Sequence, residues 1–211
     1  STTTQPTTTV TTTETATVTT TETGQTSTTH TDTTDVLPKP EDPFCGKRIV
    51  GFYPVWAYHR LPLDEVQYEN LTDIIFAFLE ADTAGNITGT HGGEFGVLKP
   101  LVKMAHAHDV RVQASILSDF SSLLDNADGS RDAFITSLVD LMVEHDLDGV
   151  DFDWEGGVFS EVDRQNYAAL LTEFSAHPGA EGKHISLDTV TWRNELNSDA
   201  LPNVQWMNGM G

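Results

Sequence analysis

The sequence predicts an α/β fold in which parallel strands alternate with helices. Two observations support this prediction: short apolar runs typical of buried strands recur along the chain, and amphipathic helical patterns lie between them. The predicted strands are residues 49–56, 72–80, 110–117, 147–155, 184–192 and 203–210. An open doubly wound sheet and part of a (β/α)8 barrel both fit this order, and periodicity does not decide between them.

The helices are predicted from apolar residues that recur at helical spacing. The best-supported helical faces lie at residues 134–145 and 167–174, and a capping box that begins at Ser160 precedes the second. The remaining predicted helices are residues 97–108, with Pro100 in the first turn, and residues 63–70.

The charge and cysteine content exclude several classes of protein. The 211 residues include 32 acidic and 11 basic side chains, a formal net charge of -21. We therefore expect no nucleic-acid partner and no docking on anionic lipid, because both need clustered lysine and arginine. Cys45 is the only cysteine, which excludes an intrachain disulfide framework. No apolar run approaches the ~20 residues of a membrane span, so no membrane association is expected.

The first part of the chain is rich in threonine. Residues 1–35 contain 21 threonines, and the heptapeptide Thr-Val-Thr-Thr-Thr-Glu-Thr occurs at 9–15 and again at 17–23. Such a segment lacks the apolar surface to offset the entropy of ordering. The composition therefore predicts a disordered linker over residues 1–43 and a globular domain over 44–211. Threonine-rich stretches of this kind are either O-glycosylated stalks of exported proteins or unmodified spacers.

The acidic excess extends into the globular part. Up to residue 43 there are six acids and one lysine, so the remainder has 26 acids and 10 bases, a net charge of -16. Self-repulsion of this size favours an environment of high ionic strength, where screening is strong, and hence predicts a halophilic, haloarchaeal source. An ordinary acidic secreted enzyme is the alternative. We expect an extracellular protein whose signal peptide lies outside this sequence, because the chain starts at Ser1 without a signal-peptide pattern.

A row of acidic residues lies on the fourth predicted strand. Residues 148–155 read Asp-Gly-Val-Asp-Phe-Asp-Trp-Glu. Side chains alternate along a strand, so Asp151, Asp153 and Glu155 face one way, with successive members ~6–7 Å apart. Three carboxylates on a buried strand oppose one another's ionisation, and folding gains nothing from them. Because α/β enzymes place their active sites at the carboxyl ends of such strands, the row predicts a catalytic site.

The row has two other interpretations. It could be a solvated strand face that only adds charge, or a site for a hard cation such as Ca²⁺ or Mg²⁺. The opposite face carries Val150, Phe152 and Trp154, which indicates a central strand and disfavours the first. The one-sided spacing does not resemble a loop that wraps a cation, and no metal site is predicted.

The chemistry that the row supports is general acid catalysis. Glu155 stands at the end of the strand, nearest to a cleft, and the neighbouring Asp153 carboxylate would help to keep it protonated. Glu155 could then donate a proton to a leaving-group oxygen. Asp153 could stabilise a developing positive charge, and Asp151, one step deeper, could share a proton with Asp153.

The run from Asp148 to Glu155 resembles Asp-Gly-x-Asp-x-Asp-Trp-Glu, the fourth-strand signature of family 18 glycoside hydrolases, which are mostly chitinases. The first, second and sixth predicted strands resemble those of the family as well. The resemblance implies a (β/α)8 TIM barrel, incomplete here with about six βα units. It also implies retaining hydrolysis of β-1,4-linked N-acetylglucosamine polymers such as chitin, in which the substrate's own N-acetyl oxygen is the nucleophile. No cofactor is implied, and a monomer is expected.

The resemblance also implies roles for individual residues. Glu155 would be the general acid and then the base, Asp153 would hold the acetamido N–H, and Asp151 would be its buried proton partner. Asp148, Gly149, Trp154 and Ser115 would be structural parts of the motif. The candidates for sugar contact are Tyr53, Trp56, Phe78, Trp192 and Met210, with Asp188 as a polar subsite residue. Core packing is the alternative for Tyr53, Trp56 and Phe78.

Two departures from the family pattern affect the expected activity. The third strand ends in Ser115-Ile-Leu-Ser118 where the family has Ser-x-Gly-Gly, and the chain stops before the family's Tyr-Asp and its last two strands. We therefore expect this fragment alone to be nearly inactive. The alternatives to a chitinase are an endo-N-acetylglucosaminidase acting on glycoproteins or peptidoglycan, a non-catalytic chitin-binding lectin of the same fold, and a surface or adhesion protein whose threonine-rich stalk is the functional part.

Overall fold

The computed structural model describes residues 8–11, 17–20, 26–29, 46–90, 93–155, 160–190 and 198–210. The chain divides into two compact units, Ser1–Gly46 and Lys47–Gly211. The division falls close to the predicted boundary at residue 43, which stays a prediction.

The described residues of the first unit form three short antiparallel strands. They are β1 (Thr8–Thr11), β2 (Thr17–Thr20) and β3 (Thr26–Thr29), in the order β1-β2-β3. The register pairs Val10 with Val18, which occupy equivalent positions in the sequence repeat. Threonine is β-branched and suits extended backbone, which accounts for strands in this composition.

The second unit is built on a sheet of six parallel strands within the described residues. They are β4 (Val50–Pro54), β5 (Asp73–Ala81), β7 (Arg111–Ser118), β8 (Gly149–Trp154), β9 (His184–Val190) and β10 (Trp206–Met210). A short strand that the sequence did not predict, β6 (Ile87–Gly89), pairs antiparallel with β5.

The strand order decides between the two predicted architectures. The order across the sheet is β4-β5-β7-β8-β9-β10, the same as the order along the chain. In a doubly wound sheet the strand order reverses at a switch point, whereas in a barrel each new strand is added on the same side of the previous one. The structure therefore confirms an incomplete (β/α)8 barrel, with β8 inside the sheet between β7 and β9.

Four helices connect these strands within the described residues. They are α1 (Glu94–His106), α2 (Ser121–Leu124), α3 (Ser130–His145) and α4 (Glu161–Ala176). The predicted capping box is confirmed, because the Ser160 hydroxyl accepts from the N–H of Asp163 and the Asp163 carboxylate accepts from the N–H of Ser160. No helix of the described residues is both long and apolar enough to cross a membrane.

Two helix predictions were wrong in detail. Helix α1 begins three residues earlier than predicted, so Pro100 lies inside the helix rather than in its first turn. The segment 63–70 forms two 3-10 turns, Leu63–Glu65 and Tyr68–Asn70, rather than one short helix. Val66, between the turns, has an extended backbone that interrupts helical hydrogen bonding.

The core lies between the sheet and the helices. Val150, Phe152 and Trp154 project from β8 into it and are buried. The Phe152 ring packs edge-to-face against rings from the covering helices, with centroids 6.1 to 6.3 Å apart. Because alternate residues of a strand face opposite sides, this packing directs the acidic residues of β8 to the inner face of the half-barrel.

An ion-pair cluster stands at the amino ends of the strands, away from the acidic row. The buried Asp73 accepts from Arg48, with an N–O distance of 2.8 Å, and from Arg111 at 2.7 Å. Burial opposes ionisation of Asp73, but the hydrogen bonds from Arg111 and Thr72 and the two positive charges outweigh it, so its pKa is lowered. The Arg48 guanidinium also lies 3.9 Å from the centroid of the Trp206 ring.

Candidate active site

The inner face of β8 carries two buried carboxylic acids. Asp151 has no exposed surface and Asp153 is 3% exposed. They are two residues apart on a regular strand, as the sequence predicts, and they face away from Val150, Phe152 and Trp154. Core packing on the helix side thus holds both acids in one orientation.

Neighbouring strands place polar residues beside these acids. In the parallel register, Asp151 lies between Ser115 of β7 and Ser186 of β9, and Asp153 lies beside Asp188 of β9. Asp188 is in turn paired with Asn208 of β10. Residues at the same register on adjacent parallel strands face the same side about 4.8 Å apart, so these side chains form two stacked polar layers.

Asp151 occupies the deeper layer and is held by three donors. The Ser115 hydroxyl donates to Oδ2 at 2.8 Å, and the Ser186 hydroxyl and the Asn208 amide donate to Oδ1, the latter at 3.1 Å. Burial raises the pKa of Asp151 to about 6, although these hydrogen bonds favour the ionised form. Asp151 can therefore gain or lose a proton near neutral pH.

Asp188 completes a cluster of three acids with Asp151 and Asp153. It is 5% exposed. Burial, followed by the negative charges of Asp151 and Asp153, raises the pKa of Asp188 to about 8. The cluster consequently holds a proton at neutral pH.

Glu155 lies at the exposed end of the row. Its N–H donates to the carbonyl of Ser118 at 3.2 Å, so the β7–β8 hydrogen-bond ladder extends one residue past Trp154. The alternation then directs the Glu155 side chain to the same face as Asp153. Unlike the two aspartates, Glu155 is solvent-exposed. The row therefore runs from a buried acid to an acid that a dissolved substrate can reach.

The other motif residues anchor the strand. Oδ2 of Asp148 lies 2.8 Å from Nε2 of His106 and accepts from the N–H of Val112 at 2.8 Å, which ties the start of β8 to α1 and β7. Gly149 lies against the backbone of β9, where an added Cβ would come within 2.0 Å of the His184 carbonyl oxygen. Asp148 and Gly149 thus contact neighbouring elements of the fold.

Two side chains of the motif support the row from either face of the sheet. The indole Nε1 of Trp154 donates to Asp119 at 3.2 Å on the helix side. Ser115, by contrast, contacts Asp151 directly on the inner face.

The predicted sugar-contact residues lie in different surroundings. Trp56 is 58% exposed in the turn Val55–Ala57 just after β4, and its ring centroid lies 6.0 Å from that of the half-buried Phe78. Tyr53 is buried in the core on the helix side, and its hydroxyl donates to the Leu61 carbonyl at 2.8 Å, so it has the packing role given above as the alternative. Met210 ends β10 on the same face as Asn208 and is half-buried. Trp192 lies outside the described residues.

Sequence reasoning did not single out Ser186 and Asn208, and it assigned Asp188 only a polar contact. The three residues contact or neighbour the acids of β8 although they lie 35 to 57 positions further along the chain. Ser186 and Asp188 repeat the two-residue spacing of Asp151 and Asp153, a signal that could have indicated a second inward row. Among the described residues, no group of three or more histidine, cysteine or acidic side chains is arranged to hold a metal ion.

Comparison with known proteins agrees with this geometry. A family model described as "Glycosyl hydrolases family 18" matches residues 48–205. A chitinase-like effector of Moniliophthora roreri is 32% identical over 109 residues, which cover 50% of this chain and 27% of that protein.

Two solved structures illustrate the similarity of fold. A chitinase from Bacteroides thetaiotaomicron superposes with a TM-score of 0.68 at 18% identity, covering 78% of this chain and 53% of that one. A mutant class V chitinase from Nicotiana tobaccum in complex with NAG4 gives a TM-score of 0.66 at 18% identity, covering 78% and 52%. The chain thus spans about half the length of these structures and about a quarter of the curated relative.

The family model covers most of the chain and includes all of the β8 motif. The half-barrel and the inward acids of β8 agree with it independently of sequence similarity. The chain belongs to glycosyl hydrolase family 18.

Proposed function

We propose that the protein containing this chain hydrolyses β-1,4-N-acetylglucosamine linkages of chitin, with retention of configuration at the anomeric carbon. The observation that carries the proposal is the graded row on β8, with Asp151 and Asp153 buried and Glu155 exposed on the same face. The chitinase names of the similar structures support the substrate class, and one of them holds NAG4.

In the first step, Glu155 acts as the general acid. Its carboxyl proton passes to the glycosidic oxygen while the carbonyl oxygen of the substrate's N-acetyl group attacks the anomeric carbon. The bond to the leaving sugar breaks, and a cyclic oxazolinium ion forms. The exposure of Glu155 supports this role, because the acid must reach an oxygen of a bound polymer.

Asp153 acts on the acetamido group in this scheme. Its carboxylate accepts the acetamido N–H, which orients the carbonyl oxygen towards the anomeric carbon, and it then stabilises the positive charge of the oxazolinium ion. Asp151 supports Asp153 from the deeper layer by taking up or releasing a proton. The pKa of Asp151, raised by burial to about 6, suits that exchange.

In the second step, the Glu155 carboxylate removes a proton from water as the water oxygen attacks the anomeric carbon. The oxazolinium ring opens, the N-acetyl group is restored, and Glu155 regains its proton. Two inversions at the same carbon give net retention.

The test uses the longest natural protein that contains this chain, assayed on chitin and on N-acetylglucosamine oligomers. We expect Glu155→Gln to lower kcat by about a thousandfold or more, while oligomer binding by calorimetry stays within about threefold. Glu144→Gln, at an exposed acid on α3, serves as the matched control and should leave kcat unchanged.

Full activity of Glu155→Gln would exclude the proposed acid. Tight oligomer binding with no turnover by the unmodified protein would indicate the lectin alternative. Preferential cleavage of glycoprotein or peptidoglycan substrates over chitin would indicate the endo-N-acetylglucosaminidase.

A further inference from the structure

Asp188 belongs to the acidic site by position, although it lies outside the β8 motif. It is on β9, level with Asp153 on one side and with Asn208 of β10 on the other. Adjacent parallel strands are about 4.8 Å apart, so the carboxyl group of Asp188 stands beside that of Asp153 on the inner face.

The hydrogen bonding of Asp188 differs from that of Asp151. Asp151 accepts from two hydroxyl groups and one amide. Asp188 has a contact from the Asn208 amide, but its buried Oδ1 has no hydrogen-bond partner among the described residues. A buried carboxylate oxygen without a donor carries an uncompensated desolvation cost, which the group avoids by keeping its proton.

The charges that face Asp188 also favour its protonated form. From β8 it faces Asp151 and Asp153, with Glu155 beyond the strand end, and no charged residue occurs in β10. Arg48 and Arg111, whose side chains lie near the sheet, pair with Asp73 at the opposite ends of the strands. Three acids this close to one another cannot all ionise at low cost.

We propose that Asp188 is a further positioning residue of this site, which holds the shared proton of the acidic cluster and thereby keeps Asp153 ionised for the acetamido group. As a carboxylic acid, Asp188 has an O–H to donate to the Asp153 carboxylate. This hydrogen bond would fix the orientation of the Asp153 carboxylate. The functional part of the proposal rests on the proposed hydrolysis, whereas the position of the proton does not.

The first experiment locates the proton without using activity. Infrared difference spectra of the complete chain are recorded from about pH 5 to about pH 9, where protonated and ionised carboxyl groups absorb separately. We expect a protonated carboxyl band that persists at neutral pH and titrates near pH 8, in line with the raised pKa of Asp188. Asp188→Asn should remove the band, and the exposed control Asp140→Asn on α3 should retain it.

The second experiment measures the pH dependence of kcat/KM in the longest natural protein that contains the chain. Asn at position 188 stays neutral and keeps a donor, so we expect Asp188→Asn to retain activity within about threefold near pH 6 and to lose the transition near pH 8. Asp188→Ala has no donor, and we expect kcat/KM to fall about tenfold or more at all pH values. A merely structural role would lower activity without moving the pH profile.

The outcomes separate the two proposals. A band that survives in Asp188→Asn, or a wild-type chain without any carboxyl group titrating near pH 8, overturns the assignment of the proton. If the band behaves as expected but the protein does not hydrolyse N-acetylglucosamine polymers, the proton site stands and the proposed function fails. If neither variant folds, a wild-type chain without a carboxyl group that titrates near pH 8 still overturns the assignment.

Discussion

The buried acid Asp188 should make the stability of the folded domain depend on pH in a way that a single substitution removes. The folded state raises its pKa from an ordinary value of 3.8 to about 8. Below about pH 4 Asp188 is protonated in both the folded and the unfolded states, and it does not lower the free energy of unfolding. As the pH rises towards 8, the unfolded state releases the proton first, so the free energy of unfolding falls.

The size of the effect follows from one proton bound in the folded state and none in the unfolded state. The free energy of unfolding therefore falls by about 1.4 kcal/mol per pH unit. Asp151, with a pKa raised to about 6, adds a similar contribution at lower pH. The contribution of Asp151 fades above about pH 6, and the part that remains is common to the wild type and Asp188→Asn. From about pH 6 to about pH 7.5 the wild type should therefore lose about 2 kcal/mol relative to Asp188→Asn.

The assay is urea unfolding followed by circular dichroism at closely spaced pH values, with the slope against urea checked for constancy. Asp188→Asn should unfold at higher urea than the wild type above pH 6, by a margin that widens with pH. Asp140→Asn, an exposed acid on α3, should follow the wild type throughout. A difference between Asp188→Asn and the wild type that stays constant over the interval would refute the reasoning, because it would mean that Asp188 is ionised in the folded state.

Three further predictions concern other parts of the domain. Gly149→Ala would bring a Cβ within 2.0 Å of a backbone oxygen of β9 and should lower the free energy of unfolding in urea by about 2 kcal/mol or more. Gly209→Ala, with open space around its Cβ, is the control, and equal losses in the two variants would contradict the clash. Asp73→Asn removes the carboxylate that pairs with two arginines and should cost about 3 kcal/mol by the same assay, so a loss below about 1 kcal/mol would contradict a stabilising cluster. Trp56→Ala should weaken binding of N-acetylglucosamine oligomers about tenfold in calorimetry with Tm unchanged, because its exposed ring is free to stack on a sugar; unchanged affinity would remove Trp56 from the binding surface.

Much of the architecture was predictable because local patterns dominate it. Each parallel strand falls within or next to an apolar run, and the two long helices contain their predicted apolar faces. The helix start at Glu94 and the turns at 63–70 were not predictable in the same way. Helix propensity changes only gradually along the sequence, whereas tertiary contacts determine the residue at which a helix begins or ends.

The sequence by itself determined the orientation of the acids within β8. Alternation is a property of any strand, so the common face of Asp151, Asp153 and Glu155 follows from their spacing alone. The burial of Val150, Phe152 and Trp154 then requires that face to be the inner one.

Only the tertiary structure decided the order of the strands and which other residues join these acids. Strand order distinguished a barrel from a doubly wound sheet, and register brought Ser186, Asp188 and Asn208 beside Asp151 and Asp153. Register is a relation between distant segments, set by how whole strands pack against the helices, and a shift of two residues would preserve every local pattern while separating Asp188 from Asp153. The protonation of the site depends on that register, since burial and neighbouring charge are properties of the assembled sheet.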